Sequence, residues 1–131
     1  MAFAAVKRAT LLYPCGGTLQ NPNHHLFILL TDPVGPAKQV LMVNVSTIRG
    51  ERYDSTCVLD ARDHPFLRRP SYVVYAASRT EPVSRLMNGI AAGEFIAHEL
   101  LKEEVFARVV AGIEKSPHTR PFAKTFLKES N

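Results

Sequence analysis

The chain has 131 residues and a formal net charge of +4, and 46% of its residues are hydrophobic. This length predicts a single domain over residues 1–131, and this apolar fraction excludes a largely disordered chain. No run approaches the ~20 apolar residues of a membrane-spanning helix, so no membrane association is expected. Lys7 and Arg8 interrupt the apolar N-terminus, which argues against a signal peptide, and two cysteines cannot form a disulfide framework. We therefore expect a cytoplasmic protein.

The positive charge is unevenly distributed along the chain. Residues 1–85 contain ten Lys and Arg against six Asp and Glu, whereas residues 86–131 contain six of each kind. Such a surplus favours anionic partners such as nucleic acid, although ordinary surface charge for solubility would also explain it.

The first part of the chain consists of short apolar runs between turn-forming residues, which predicts a sheet. The strand candidates cover residues 6–13, 25–31, 39–45, 56–59 and 71–76. Pro14 and the glycines after it predict a turn, and residues 20–24 predict a loop. The unbroken apolar runs indicate strands that are covered on both faces or that belong to a barrel.

After residue 80 the pattern becomes helical. Pro82 and Gly93 bracket a short predicted helix over residues 83–91, followed by a brief strand candidate at residues 94–97. Residues 101–115 place their apolar side chains on one helical face, and the tail over residues 121–127 predicts one more helical turn. Strands followed by helices predict an α+β fold, here a small curled sheet or barrel of about five strands followed by one short and one longer helix.

The densest polar cluster lies in the turn between the last two strand candidates. A carboxylate of Asp60 or Asp63 would orient His64 for proton transfer, but both would equally accept turn hydrogen bonds before Pro65. Cys57, in an apolar strand, is either a buried structural thiol or, paired with His64, the nucleophile of a thiol hydrolase.

Two other polar pairs lie at strand ends. His24 and His25 precede the second strand and point to opposite faces, so they do not easily share a metal ion. They are either polar strand-entry residues, or one of them is a general base or phosphate contact. Ser46 and Thr47 end the third strand and bind either a phosphate or the local backbone. The His and Cys spacing predicts no metal site.

Arginines and aromatic rings are interspersed between residues 49 and 72. This mixture is typical of a groove for single-stranded nucleic acid, with charges for phosphates and rings for bases. Its members are Arg49, Arg52, Tyr53, Arg62, Phe66, Arg68, Arg69 and Tyr72. Four acids in the same interval weaken the pattern, and a solvated rim of ion pairs is the alternative. These acids are Glu51, Asp54, Asp60 and Asp63.

The order of these motifs resembles the PemK/MazF toxin family, whose members are small SH3-like barrels that cleave RNA without a metal. HHLFILL stands where the family has an Arg-Pro strand, and VLMVNVSTI stands where it has a Pro-aliphatic-Thr-Ser type motif. SYVVYAASRTEPVSRL resembles the next strand and the Arg-Thr region, and the last long helix resembles the family's C-terminal helix. Across residues 24–114, the departures are His24 and His25 for Arg and Pro, Asn44 for the motif's Pro, and the insert at residues 60–70.

The resemblance implies the toxin of a type II toxin–antitoxin system, an endoribonuclease that works without a cofactor by attack of the RNA 2′-hydroxyl on its phosphate. In this interpretation His24 or His64 is the base or acid, Ser46 contacts the phosphate, and Arg49 stabilises its charge. The other implied RNA contacts are His25, Thr47, Arg52, Tyr53, Arg68 and Arg69. The implied partners are single-stranded RNA, an antitoxin protein and a second copy in a homodimer. The alternatives are a barrel that only binds protein or nucleic acid, and the Cys57–His64 hydrolase.

Overall fold

The computed structural model describes residues 3–18, 20 and 22–130. Within these ranges the chain forms an α+β fold, with a curled antiparallel sheet of six strands that resembles half a barrel, and three helices. The strands are β1 (Thr10–Gly17), β2 (Pro22–Leu29), β3 (Gln39–Thr47), β4 (Val58–Leu59), β5 (Ser71–Pro82) and β6 (Ile96–His98). The helices are α1 (Val83–Ala91), α2 (Glu103–Lys115) and α3 (Pro121–Glu129). None of these helices is long and apolar enough to cross a bilayer.

The two faces of the sheet belong to two separate cores, which explains the unbroken apolar runs. The strand order is β4-β5-β3-β2-β1-β6, and alternate residues of each strand face opposite sides. On the inner face, Leu41, Val43 and Val45 of β3 pack with α2 and α3. On the outer face, Val40 and Met42 pack with α1 and the segment after it. The central strands are therefore buried on the inner face by α2 and α3 and on the outer face by α1 and the segment after it.

Helix α2 approaches the inner face closely because it carries a glycine at the contact. The Tyr75 hydroxyl donates a 2.7 Å hydrogen bond to the Val109 carbonyl oxygen. A Cβ atom at Gly112 would overlap the Tyr75 side chain. This contact holds α2 against β5, where the helix covers the core on the inner face of the sheet, which we call the inner core.

The sheet opens between β2 and β3 at one end. Their register ends at Leu26 opposite Val45. Beyond that point β2 stays paired with β1, where His25 lies opposite Tyr13. Strand β3 stays paired with β5, where Ser46 lies opposite Tyr72. The two strands therefore part at residues 24–25 and 46–47, each held by its other neighbour.

Several predicted bounds of the first strands were wrong. Strand β1 begins at Thr10 and runs through Pro14 to Gly17, where a turn was predicted, because an irregularity in the register accommodates these residues. Strand β2 begins at Pro22, inside the predicted loop, and the predicted loop residue Asn21 lies outside the described residues.

Of the later elements, β5 and α3 are longer than predicted, whereas β4, β6 and α2 are shorter. Strand β5 continues to Pro82 through a bulge opposite Val43, where the Ser78 hydroxyl donates to the Tyr75 carbonyl. The brief strand candidate is a sixth strand, β6, on the edge of β1, and the tail forms the nine-residue helix α3. The prediction of α1 over residues 83–91 is confirmed.

Candidate functional site

A hollow in the described surface lies where β2 and β3 part. It has a volume of about 360 Å³ and continues into a neighbouring hollow of about 440 Å³ that shares much of its lining. We call the two together the basic hollow. Its lining residues are Asn23, His24, His25, Val45, Ser46, Thr47, Arg49, Phe66, Leu67, Arg68, Arg69 and Ser71.

Both histidines reach the basic hollow although they point to opposite faces of β2. Leu26 and Val45 belong to the inner core, so the next residues along each strand, His25 and Ser46, point to the outer face. His24 and Thr47 point to the inner face by the same alternation. Because the hollow opens between the strands, side chains from both faces line it.

The loop over residues 60–70 forms one wall of the basic hollow. Leu67 is buried in the inner core and anchors this loop, and Phe66 packs against the same core. Arg68 and Arg69 follow at the exposed rim. The Ser71 hydroxyl donates a 2.9 Å hydrogen bond to the Arg69 carbonyl oxygen, which fixes the backbone of the rim.

Ser71 is a lining residue that the sequence analysis missed. It lies opposite Thr47 in the register between β3 and β5. Only this pairing indicates that it belongs to the site, and the pairing is not visible in the sequence before the strands are aligned.

The basic hollow carries positive charge that is not neutralised locally. None of the described lining residues is an Asp or Glu. We call Arg49, Arg68 and Arg69 the hollow arginines; within the described ranges they form no ion pair. A hollow with one sign of charge concentrates anions near it.

Three of the four acids that were expected to weaken this charge are engaged elsewhere, and the fourth, Glu51, is exposed and does not line the basic hollow. Asp54 accepts hydrogen bonds from the Ser116 hydroxyl and from Thr56; although burial raises its pKa, these bonds lower it below its ordinary value. Asp60 pairs with Arg62, whose hydrogen bonds lower the pKa of that carboxyl. Asp63 pairs with Arg108 of α2 at 2.7 Å.

Five polar side chains of the basic hollow are uncommitted. In the part of the chain that the structure describes, the side chains of His24, His25, Ser46, Thr47 and Arg49 make no hydrogen bond to protein. The local backbone bond considered for Ser46 and Thr47 is therefore not present there. These donors and acceptors remain available for a ligand.

The structure does not bring His64 to the basic hollow. Its side chain is only 2% exposed. The Phe66 backbone N–H donates to its Nδ1 at 3.1 Å, and its Nε2 lies 3.1 Å from the Thr10 hydroxyl. The Thr10 hydroxyl uses its hydrogen to donate to the Glu99 carbonyl, so it accepts a hydrogen bond from Nε2. Because Nδ1 accepts and Nε2 donates, the ring carries one N–H and is neutral.

The surroundings of His64 keep it neutral. Burial, and then the nearby His98 ring at a centroid distance of 4.6 Å, lower the pKa of His64 to about 4. Both ring nitrogens are already engaged, so His64 has no free atom with which to move a substrate proton. The interpretation of His64 as a base or acid is corrected on these grounds.

Asp60 and Asp63 do not orient His64. Asp63 accepts a hydrogen bond from the Asp60 backbone N–H at 2.9 Å, and Asp60 accepts one from the Arg62 backbone N–H at 2.9 Å. Both carboxylates therefore make the turn hydrogen bonds that were the alternative interpretation.

Cys57 is buried in the inner core, with 5% of its surface exposed. Burial raises the pKa of its thiol, and the charge of Arg108 offsets this only in part. A protonated, buried thiol is a weak nucleophile, so this environment favours the structural interpretation over a Cys57–His64 hydrolase.

The remaining predicted contacts lie outside the lining of the basic hollow. Arg52 and Tyr53 are in the exposed loop between β3 and β4. The Tyr53 ring lies 5.4 Å from the ring of Tyr72, which is the cross-strand partner of Ser46. Among residues 3–18, 20 and 22–130, no group of three or more His, Cys, Asp or Glu is arranged to hold a metal ion.

No protein-family model matches this chain, and neither a curated protein nor a solved structure matches it. The resemblance to PemK/MazF toxins therefore rests on the sequence motifs, and the basic hollow has to be interpreted from its own side chains.

Proposed function

We propose that this chain is a metal-independent endoribonuclease that binds single-stranded RNA in the basic hollow and cleaves it. One observation carries the proposal: two histidines, three hydroxyl groups and the hollow arginines line a single hollow that contains no described acid. This set of groups supplies what phosphate recognition and proton transfer at a phosphodiester require.

Binding would depend on the hollow arginines. Guanidinium groups form strong, often bidentate hydrogen bonds with phosphate oxygens. Because Arg49, Arg68 and Arg69 have no acidic partner in the described chain, a phosphate does not have to displace one. A single strand is the expected ligand, because its bases are exposed for contact, whereas those of a duplex are not.

Cleavage would follow from attack of a 2′-hydroxyl on the adjacent phosphorus. A bond forms between the 2′-oxygen and phosphorus, and the bond from phosphorus to the 5′-oxygen breaks. His24 and His25 between them remove the 2′-proton and protonate the leaving 5′-oxygen. Arg49 stabilises the charge at phosphorus, and Ser46 and Thr47 donate to its oxygens. The products are a 2′,3′-cyclic phosphate and a 5′-hydroxyl.

The same proposal extends to the fold and to the biological role. The curled sheet is then a divergent SH3-like barrel of the PemK/MazF type, and the chain is the toxin of a toxin–antitoxin pair in the cytoplasm. An antitoxin with an acidic segment would neutralise it by covering the hollow arginines. A homodimer is the expected assembly. Induction of the chain alone should then arrest growth, and normal growth would count against the toxin role.

The direct test is incubation of purified protein with mixed single-stranded RNA in the presence of a metal chelator. We expect fragments with 2′,3′-cyclic phosphate ends, and a rate reduced about 100-fold or more in His24→Ala and in Arg49→Ala. His118→Ala is the matched control, since His118 is exposed and does not line the basic hollow.

Two results would contradict the proposal. One is intact RNA at equimolar enzyme, and the other is undiminished cleavage by both hollow variants. RNA that is bound but never cleaved would instead support the alternative of a binding module.

A further inference from the structure

The outer face of the sheet is covered at one end and open at the other. At the covered end, Val40 and Met42 pack in one cluster with Leu86 of α1. At the open end, Asn44 lies opposite both Phe27 and Val74, and Ser46 lies opposite Tyr72. The side chains of Asn44, Ser46 and Tyr72 are half-buried, so this end of the sheet remains accessible.

Aromatic rings stand on both sides of the basic hollow on this face. On one side Tyr13 lies opposite His25, and on the other Tyr72 lies opposite Ser46. Neighbouring strands are roughly 5 Å apart, so each ring is next to a residue that lines the hollow. A strand held in the hollow would therefore pass a ring as it leaves.

The two rings differ in what already covers them. Tyr13 is stacked on Phe95 with centroids 4.3 Å apart, and the Arg79 guanidinium lies 4.4 Å from its centroid. Both faces of Tyr13 therefore have protein neighbours. Tyr72 contacts Tyr53, which is 36% exposed, in a tilted pair with centroids 5.4 Å apart. Only the second side offers ring surface for a ligand.

We infer that Tyr53 and Tyr72 form a stacking site for a base of single-stranded RNA next to the phosphate held in the basic hollow. The strand then leaves the hollow over Ser46 and crosses β5 toward the loop that carries Tyr53. The inference rests on the proposed function, because the stacked base belongs to the RNA that the hollow cleaves.

Charge and composition favour a nucleic-acid strand as the occupant of this surface. The hollow arginines attract an anionic chain to the point where the stacking site begins. The surface between the hollow and the rings carries the polar side chains of Asn44 and Ser46 rather than an apolar patch. Base stacking on an aromatic ring combined with a basic groove is a general mode of binding single strands.

The test measures binding separately from cleavage. A fluorescent single-stranded DNA oligonucleotide lacks the 2′-hydroxyl and therefore cannot undergo the proposed reaction. We expect Tyr72→Leu and Tyr53→Leu each to weaken its binding by roughly 5- to 100-fold, because each removes a stacking ring. Tyr72→Phe and Tyr53→Phe keep the ring and should bind like the unaltered chain. Phe122→Leu is the matched control, since Phe122 is exposed on α3.

The outcomes separate this inference from the proposed function. Weaker binding in the Leu variants but not in the Phe variants supports the stacking site even if no RNA is cleaved. Unchanged binding by both Leu variants overturns it even if RNA is cleaved normally. Failure of the unaltered chain to bind the oligonucleotide overturns it as well. A third result would also overturn it. If sedimentation shows that the unaltered chain is a dimer and that Tyr72→Leu and Tyr53→Leu each dissociate it, a second copy of the chain occupies this surface.

Discussion

The basic hollow and the surroundings of His64 are built from the same kinds of residue but differ in what their polar atoms do. His24 and His25 line a hollow in which their rings make no hydrogen bond to the described protein. His64 is buried, with one ring nitrogen engaged by the Phe66 N–H and the other by the Thr10 hydroxyl. Unused hydrogen-bonding capacity, rather than the presence of histidine, separates a candidate site from a structural position.

The loop over residues 60–70 shows the same contrast within a few residues. At its start, Arg62 pairs with Asp60, and Asp63 pairs with Arg108. At its end, Arg68 and Arg69 line the basic hollow and form no ion pair within the described ranges. The first half holds the loop against α2, and the second half presents charge to a ligand.

The largest expected effect is the loss of stability in acid that His64 causes. Its folded-state pKa of about 4 lies below the ordinary value of 6.5. The unfolded chain therefore binds the extra proton first, and the stabilisation present above pH 6.5 is lost as the pH falls toward 4. The loss is on the order of 3 kcal/mol in the free energy of unfolding. Urea unfolding at a series of pH values measures it.

His64→Asn is the control for this pH dependence. Because asparagine does not titrate, the decrease between pH 6.5 and pH 4 should largely disappear. A decrease of the same size in His64→Asn would show that other groups cause it and would contradict the assignment.

The next effect is that His64→Asn should lower stability more than His24→Ala, whereas His24→Ala should lower RNA cleavage more than His64→Asn. His64→Asn removes the bond to Thr10 in the core and should lower the free energy of unfolding by about 1–2 kcal/mol at pH 7. His24→Ala should leave stability within about 0.5 kcal/mol, because its side chain is half-exposed and makes no bond to the described protein. Thermal unfolding and RNA cleavage are measured on both variants. Equal stability losses in the two variants would contradict the difference between the two regions. So would a larger loss of cleavage in folded His64→Asn than in His24→Ala.

The smallest effect concerns the rim of the basic hollow. Arg68→Gln and Arg69→Gln should each reduce the slope of log affinity for single-stranded RNA against log salt concentration by about 0.7, because each removes one phosphate contact. Arg120→Gln is the control, since Arg120 is exposed and is not part of the hollow lining. Binding measured at several salt concentrations gives the slopes, and an equal reduction in the control would mean that the contribution is only general surface charge.

The sequence predicted the fold class and most strands because the apolar runs are long and well separated by turn residues. Helix α1 was predicted with its bounds, since Pro82 and Gly93 mark both ends. The course of β1 was not predictable, because Pro14 and the following glycines have the same signature in a turn as in an irregular strand. The length of β5 depends on a bulge that only the pairing with β3 shows.

The candidate site was predictable in part. His24, Ser46 and Arg49 lie beside the ends of the predicted strands over residues 25–31 and 39–45, and polar residues at strand ends commonly form sites. Their meeting in one hollow depends on the parting of β2 and β3, which no local pattern indicates. His64 lies in the densest polar cluster of the sequence, but its Nε2 is engaged by Thr10, which is distant in the chain and which no local pattern brings close.

The most direct test of the account is an NMR titration of the isotope-labelled chain with a single-stranded DNA oligonucleotide that cannot be cleaved. We expect chemical-shift changes at His24, His25, Ser46, Thr47 and Arg49, at the two rim arginines and at Ser71. We expect no change at Thr10, His64 or His98. Changes confined to those last three residues, or to α1 and α3 with none in the basic hollow, would contradict it.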